Sequence, residues 1–456
     1  MENYTAYEGI GSGDVDIDRR VVRTLEQLSR EPKASIQRAC GDPHQAKAVY
    51  RLLSNEKFKS EQVNVVSSEE SVKRIEESEA ETVLIIQDSS GLSYKNLKCC
   101  EGLGVIGSSA ENRGVMLHSA LAVSVKNEIY GILGQEVIVR EVGDYGKNRS
   151  SCHKMAIEEK ESKKWLEMME KTEKLLPENV IGVHVSDREG DIYEYFERCE
   201  TVGSYYLCRR AYNRKIAETH GEINEYIDSL AEAGVMKIHV PRDSHTKRKA
   251  RDTELSIKFG KIEILRPQNL KVSGSNVHRK LTVYVISAVE AITPSDGSEP
   301  ISWQLITNIP VTSLLEAAEK INWYTKRWRI EDFHYTLKSG CSIEKRQASS
   351  EQKIEKLIAL YSVIAVDIMR MTWLARVNPD ASCEILFSED EWKILYCVAK
   401  KTRIPPHSPP TIHEAVRFIA LLGGFLNRNS DGEPGVKSIW LGLSKFRTIL
   451  IAKQFC

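Results

Sequence analysis

The chain has 456 residues, roughly three domains at about 150 residues each. With 41% hydrophobic and 28% charged residues it reads as a globular protein with a core, which excludes disordered, collagenous and coiled-coil classes. Lys plus Arg and Asp plus Glu both number 64, so net charge exerts no overall pull toward nucleic acid or membrane, and any such binding must come from local patches.

Residues 1 to about 75 read as helical and polar, with Val21, Val22, Leu25 and Leu28 on one stripe and a second helix after the turn Gly41-Asp-Pro43. An acidic run at 76–82 marks a boundary, and the first strong strand follows at Val83–Asp88. Further strands are predicted at Gly114–Val125, Glu128–Glu141, Val180–Ser186 and Ser204–Arg209, with helices at Ser162–Lys174 and Ile192–Cys199. From 214 to about 316, strand-like stretches (Val235–Val240, Thr253–Phe259, Lys261–Leu265, Leu281–Val289, Ile301–Thr307) crowd together with little helix, a β-rich insertion in an α/β core of mixed sheet. Ser313 to about Val377 is helical, and Asn378 opens a final helical segment. The expected domains are therefore 1–75, 76–377 and 378–456.

The longest apolar run, Leu357–Val366, is about half of the roughly 20 residues that a membrane-spanning helix needs, and the N-terminus lacks the apolar stretch of a signal peptide. The ten cysteines (40, 99, 100, 152, 199, 208, 341, 383, 397, 456) contain no C-x-x-C pair and no zinc or disulfide spacing. No membrane association and a reducing cytoplasm are expected. Gly102–Gly107 is formally G-x-G-x-x-G but lacks the flanking strand and helix of a dinucleotide site. Cys152-His153 has no metal-spaced partner, and His118 reads as a packed, hydrogen-bonded histidine. No small-molecule organic cofactor is expected.

Three acids stand out by position. Asp88 and Asp187 each end an apolar run, where a rigid sheet delivers a carboxylate to the surface; either one alone reads more readily as the cap of the turn that follows. Glu331 lies in Tyr324-Thr-Lys-Arg-Trp-Arg-Ile-Glu-Asp-Phe-His-Tyr-Thr-Leu-Lys338. At about 100° per residue, Tyr324, Arg327, Glu331 and Lys338 share a stripe about 60° wide, opposite Ile330, Phe333 and Leu337. A solvated face with i,i+4 ion pairs would read the same way, but Trp323, Trp328 and Phe333 point to a packed helix. Two aspartates and one glutamate suit a pair of Mg²⁺ or Mn²⁺ ions about 3.5–4 Å apart, the arrangement for in-line phosphoryl displacement, with Tyr324, Arg327 and Lys338 holding phosphate oxygens.

Tyr324, Arg327, Glu331 and Lys338 resemble the Y-(2)-R-(3)-E-(6)-K signature of bacterial DDE-type insertion-sequence transposases, the insertion-sequence-four family that is Tn-five-like. The similarity extends to IIQDSSGLSY around Asp88, SDREGDIYEYF around Asp187, the order D…D…E, and more weakly to GDPHQAKAVYRLLSN and the C-terminal FIALLGGFLNR. It implies a ribonuclease-H-like catalytic core with a β-rich insertion, between an N-terminal helical domain that reads end DNA and C-terminal dimerisation helices. It implies cut-and-paste transposition by nicking, hairpin formation and resolution, and strand transfer into target DNA. It also implies a synaptic homodimer, bacterial and nucleoid-associated when bound to DNA.

Trp303 matches the tryptophan that receives a flipped base, against a reading as sheet core. Arg209 matches an arginine near the cleaved strand, with Arg210 as competitor, and Arg20 and Arg23 are candidate DNA contacts. Lys247–Arg251 is a phosphate grip or a solvated loop, and Tyr335 stands where the family carries a strand-binding lysine. Other classes compatible with the acids are a DNA-binding protein that no longer transposes, a nuclease that cuts without joining, and a glycosidase; the last leaves the cations beside Glu331 unexplained.

Overall fold

The computed structural model describes residues 4–107, 109, 111–141, 155–217, 221–240, 249–268, 270, 278–294, 297–428 and 431–453. The chain divides into two units. The first comprises Met1–Ala80, Ser89–Tyr145 and Arg329–Cys456; the second comprises Glu81–Asp88 and Gly146–Trp328.

The first unit opens with helices Val15–Arg30, Ile36–Cys40, Pro43–Leu53 and Ser60–Glu77. Side chains start three of them: Asp14 accepts from the Asp16 N–H, Ser35 from the Arg38 N–H, and Asp42, ahead of Pro43 in the first turn, from the His44 N–H. The predicted stripe is the buried one, Val21, Leu25 and Leu28 being fully covered. Of the strands β1 (Thr82–Ser93), β2 (Gly104–Val105), β3 (Arg113–Ser124) and β4 (Ile129–Ile138), β1 is divided between the units at Asp88, and β3 pairs antiparallel with β2 and β4.

Helices Glu351–Val377, Glu389–Lys400, Ile412–Leu422 and Val436–Lys453 complete this unit. The first corrects the ten-residue apolar reading. It has 27 residues, and its best 18-residue stretch has mean hydropathy 1.6, long and apolar enough to cross a membrane; yet 83% of that stretch is buried in the protein. Its apolar surface is already used as core.

Asp367, on that helix, accepts a hydrogen bond from the Tyr4 hydroxyl at 2.8 Å, which pins the N-terminal turn Tyr4–Gly9. Burial pushes its carboxyl up to about 6 from an ordinary 3.8, against the pull of Tyr4, Arg74 and Arg447. The folded protein therefore holds a proton that the unfolded chain releases, so stability from this group is present below 3.8 and lost as pH rises through about 6. Asp367→Asn, which keeps an acceptor for Tyr4, should raise the thermal midpoint at pH 7.5, by up to about 3 kcal/mol of stability, with a gain that shrinks toward pH 4. Melting curves of the two proteins across that range are the check; equal midpoints throughout would refute it.

The second unit adds β5 (Ile181–Ser186), β6 (Tyr205–Arg209), β7 (Gly234–Val240), β8 (Arg251–Leu265), β9 (Lys280–Glu290) and β10 (Ser302–Thr307) in the strand order β1-β5-β6-β10-β9-β8-β7. β1, β5 and β6 are parallel and the remainder antiparallel, so the sheet is mixed, as expected for an α/β class with flanking helices. Helices Lys163–Glu173, Tyr193–Val202, Ile223–Ser229 and Leu314–Thr325 belong to this unit. Its core is aromatic: Trp165, Tyr193, Tyr195, Phe196 and Tyr206 are buried, with Phe196 stacked on Tyr206 at 4.4 Å.

Two strand expectations change here. Thr253–Phe259 and Lys261–Leu265 form one strand, β8, because Gly260 stays extended; a Cβ there would fall 2.3 Å from the Tyr226 hydroxyl that crosses it. Tyr226 itself sits on Ile223–Ser229, a helix in the stretch expected to contain little helix.

Candidate active site

β1 and β5 pair in parallel register from Thr82↔Ile181 to Ile86↔Val185. Two residues beyond the last pair, each strand carries an aspartate, Asp88 and Asp187. Side chains alternate along extended chain, and Asp187 keeps extended dihedrals (φ −86°, ψ −161°) just past the end of β5, so both carboxylates turn to the face of Ile86 and Val185, whose strands run about 4.8 Å apart where they pair. β5 ends at Ser186, so Asp187 does follow its strand; its Oδ1 accepts the Glu189 N–H at 2.9 Å, the turn-capping bond. Asp88 does not end its strand, because β1 stays extended to Ser93. In the first unit Gly114 of β3 lies so close to Leu92 that a Cβ would come within 2.1 Å of its carbonyl oxygen. The apolar run stops at Ile86, but pairing continues.

Around this pair the second unit gathers four of the other expected residues. Arg327 Nη1 lies 3.9 Å from Asp88 Oδ2, and its guanidinium sits 5.2 Å from the Trp328 ring centre. Tyr324 is buried and meets Trp303 edge-on, with ring centres 5.6 Å apart. Burial pushes the Tyr324 hydroxyl above its usual range; Arg327 and Arg209 pull it down, while Cys208 and Asp187 add to the rise. Arg209 donates to the Ser302 carbonyl at 3.0 Å, whereas Arg210 donates to Asn224 at 2.6 Å and to the Tyr212 carbonyl at 3.0 Å. The two arginines therefore turn to different partners, and Arg209 is among the charges acting on Tyr324.

The straight-helix projection from Tyr324 to Lys338 fails. Helix Leu314–Thr325 gives way at Lys326 and Arg327 to tighter bonds three residues back (3.0 Å each), helix Trp328–Tyr335 follows, and Thr336–Gly340 is a π-turn closed by the Cys341 N–H on the Thr336 carbonyl at 2.8 Å. Glu331, Lys338 and Arg20 belong to the first unit. Glu331 is half-buried between the core residues Ile330 and Phe333, and Lys338 rides on the π-turn. His334, between them, is buried, and its imidazole is pushed down to about 3 by burial and by Lys338. Arg20 donates to Gln45 at 2.8 Å.

Sequence reasoning passed over Asp191, which is fully buried. It accepts the Ala211 and Tyr212 N–H groups at 2.6 and 2.9 Å and pairs with Arg214. Its signal was Asp187-Arg-Glu-Gly-Asp191, where a second acid shortly after a strand-end aspartate had no assigned work. Of the expected phosphate grip, Lys247 and Arg248 lie outside the described residues, as do Cys152 and His153. Arg251 is committed to Glu290, donating from Nε and Nη2 at 2.8 Å each, and this holds the Glu290 carboxyl down at about 2. His118 is buried against Ser89 Oγ at 2.9 Å, as its packed reading expected. Among the described residues no group of three His, Cys, Asp or Glu is placed to hold a metal ion; Asp88 and Asp187 are the hard-oxygen pair that the sheet sets on one face.

Three families match in succession. Transposase DNA-binding covers residues 9–58, Transposase DDE domain 160–366, and Transposase Tn5 dimerisation domain 363–455. The chain belongs to the Tn5-like DDE transposases. It is a DNA-cleaving and strand-transferring enzyme, with DNA as its partner, a dimerisation region, and a family habit of using divalent metal ions. Asp187 and Glu331 of the transposase fall inside the DDE match, Asp88 precedes it, and Arg20 falls inside the DNA-binding match. Among solved structures, a piggyBac transposase synaptic complex with hairpin DNA, determined by cryo-EM, is 8% identical; the match covers 96% of this chain and 73% of that one at a TM-score of 0.38.

Proposed function

We propose that this transposase moves DNA by cut and paste, using Asp88, Asp187 and Glu331 to hold two divalent metal ions, Mg²⁺ or in its place Mn²⁺, in a ribonuclease-H-like core. The observation that carries this reading is the pair Asp88 and Asp187 on one sheet face, with Arg327 against Asp88 and Tyr324, Trp303 and Arg209 packed beside them. Their donors are hard carboxylate oxygens, the type that Mg²⁺ and Mn²⁺ prefer. When bound, the metal supplies activation of water or a 3′ hydroxyl and counters the charge that builds on phosphorus.

The protein's own groups do the rest. Arg327 offers a bidentate fork for phosphate, and Tyr324 and Lys338 offer single donors. Trp303 is half-buried and meets Tyr324 in a T-shaped contact, so part of its ring can stack on a base extruded from the duplex during hairpin formation. Arg209 steadies the cleaved strand, and Arg20 touches end DNA. Domains of 1–75 for end recognition, 76–377 for catalysis with an insertion at about 214–316, and 378–456 for pairing complete the reading, in a synaptic homodimer of a cytoplasmic, nucleoid-associated bacterial protein.

The test is a plasmid carrying the element's own ends, incubated with and without Mg²⁺. Metal-dependent release through a hairpin intermediate is expected. In the same assay Trp303→Ala should keep first-strand nicking and lower hairpin yield about tenfold to a hundredfold, the value of one lost base stack. Binding without cutting would replace this function with that of a DNA-binding protein; cutting without joining would replace it with that of a nuclease.

A further inference from the structure

Behind the two aspartates, on the opposite face of β1 and β5, lies a chain of buried polar groups that the proposed chemistry does not use. Gln87 precedes Asp88 and His184 stands three residues before Asp187, so strand alternation turns both away from the carboxylates. Gln87 Nε2 is 3.1 Å from His184 Nδ1, and His184 Nε2 is 2.9 Å from Glu173 Oε2. An amide N–H facing Nδ1 leaves the ring proton on Nε2, where it is donated to the carboxylate. Gln87 and His184 are 1% and 0% exposed, while Glu173, at the end of helix Lys163–Glu173, keeps 29% of its side chain in solvent.

Two features point to a purpose beyond packing. Backbone register between β1 and β5 stops at Ile86↔Val185; Gln87, one residue past it and next to Asp88, reaches back across to His184, whose register partner is Ile85, and so adds a side-chain tie between the two strands just before the aspartates. Gly182 supplies the room: a Cβ there would lie 3.1 Å from Glu173 Oε2 and 2.5 Å from Leu176, so any side chain would push the carboxylate away from His184. An apolar pair at these positions would pack without three polar groups to satisfy.

We propose that Gln87, His184 and Glu173 form a positioning relay that sets the separation of Asp88 and Asp187, and so the affinity of this pair for a divalent metal ion; it rests on the metal reading above. All three are positioning residues, touching neither metal nor DNA. Groups that hydrogen-bond a metal ligand directly are worth about tenfold to a hundredfold in affinity, and this relay, acting through the strands, should fall at the low end of that range.

The test titrates full-length protein with Mn²⁺, following free ion by electron paramagnetic resonance, beside thermal melting. His184→Phe and Glu173→Ala should weaken Mn²⁺ binding about tenfold, and Glu173→Gln, whose amide oxygen still accepts the ring proton, should bind like the unmodified protein. Should His184→Phe not fold, the Glu173→Ala and Glu173→Gln pair carries the test, since Glu173 is partly exposed. Lowered melting temperatures with unmoved Mn²⁺ affinity, while Asp187→Ala abolishes binding, would overturn the relay and leave the metal reading standing. Undiminished Mn²⁺ binding in both Asp88→Ala and Asp187→Ala would overturn the metal reading and the relay with it.

Discussion

Glu331→Ala should abolish metal-dependent DNA cleavage, by at least about 10³-fold, and leave binding to end DNA within about twofold. In the proposed two-metal site, removing one of the three carboxylates forfeits several kcal/mol of transition-state stabilisation, and about 4 kcal/mol corresponds to 10³ in rate. Binding draws on phosphate contacts elsewhere, so it should fall with salt equally in both proteins. Folding is a separate matter: the helix is anchored by Ile330 and Phe333, both fully buried, and by Leu337 in the π-turn, none of which the substitution touches. Its melting curve should therefore match the parent. Cleavage on the end-bearing plasmid and a gel-shift on the same ends decide the matter. Retained Mg²⁺-dependent nicking would remove Glu331 from the metal site, and loss of both binding and cleavage would make its role structural.

Asp191→Ala should destabilise the fold by about 3–5 kcal/mol, the cost of leaving a buried cation without its partner. The Asp191 and Arg214 side chains are 0% and 7% exposed, and Arg214 also donates to the Asp191 carbonyl at 3.0 Å and lies over the Phe196 and Tyr212 rings. The same carboxylate holds the Ala211 and Tyr212 N–H groups; both residues are exposed, so in the variant these donors lose their clamp and turn to water. Replacing both members, as Asp191→Leu with Arg214→Met, should recover only part of the loss, because the carboxylate that clamps the 211–212 backbone is gone as well. Chemical denaturation of the three variants reads this directly. Full recovery in the double variant would show that the ion pair, not the backbone clamp, was the cost.

What could be read from the chain alone was whatever depends on local pattern. Apolar runs located β1, β5 and the helices around them to within a few residues, and the residue types around Asp187 and Glu331 resembled a DDE transposase, which the three matched families bear out. Period and propensity are properties of short windows, so they survive without tertiary information. What only the folded chain decided depends on neighbours far away in sequence. β1 continues past Asp88 although its apolar run stops, since a strand ends where its partners end. Residues 351–377 form one helix apolar enough for a membrane but buried in the protein, because hydropathy measures the side chains and not what covers them. The α-helical bonding from Tyr324 to Lys338 is interrupted at Lys326 and Arg327 and again at the π-turn, and a helical projection cannot foresee either departure. Arg209 was separated from Arg210, and Arg251 was taken up by Glu290, by pairings 93 and 39 residues apart in the chain. Charge in a sequence is only potential; burial and the partner across the sheet determine which arginines remain available to DNA.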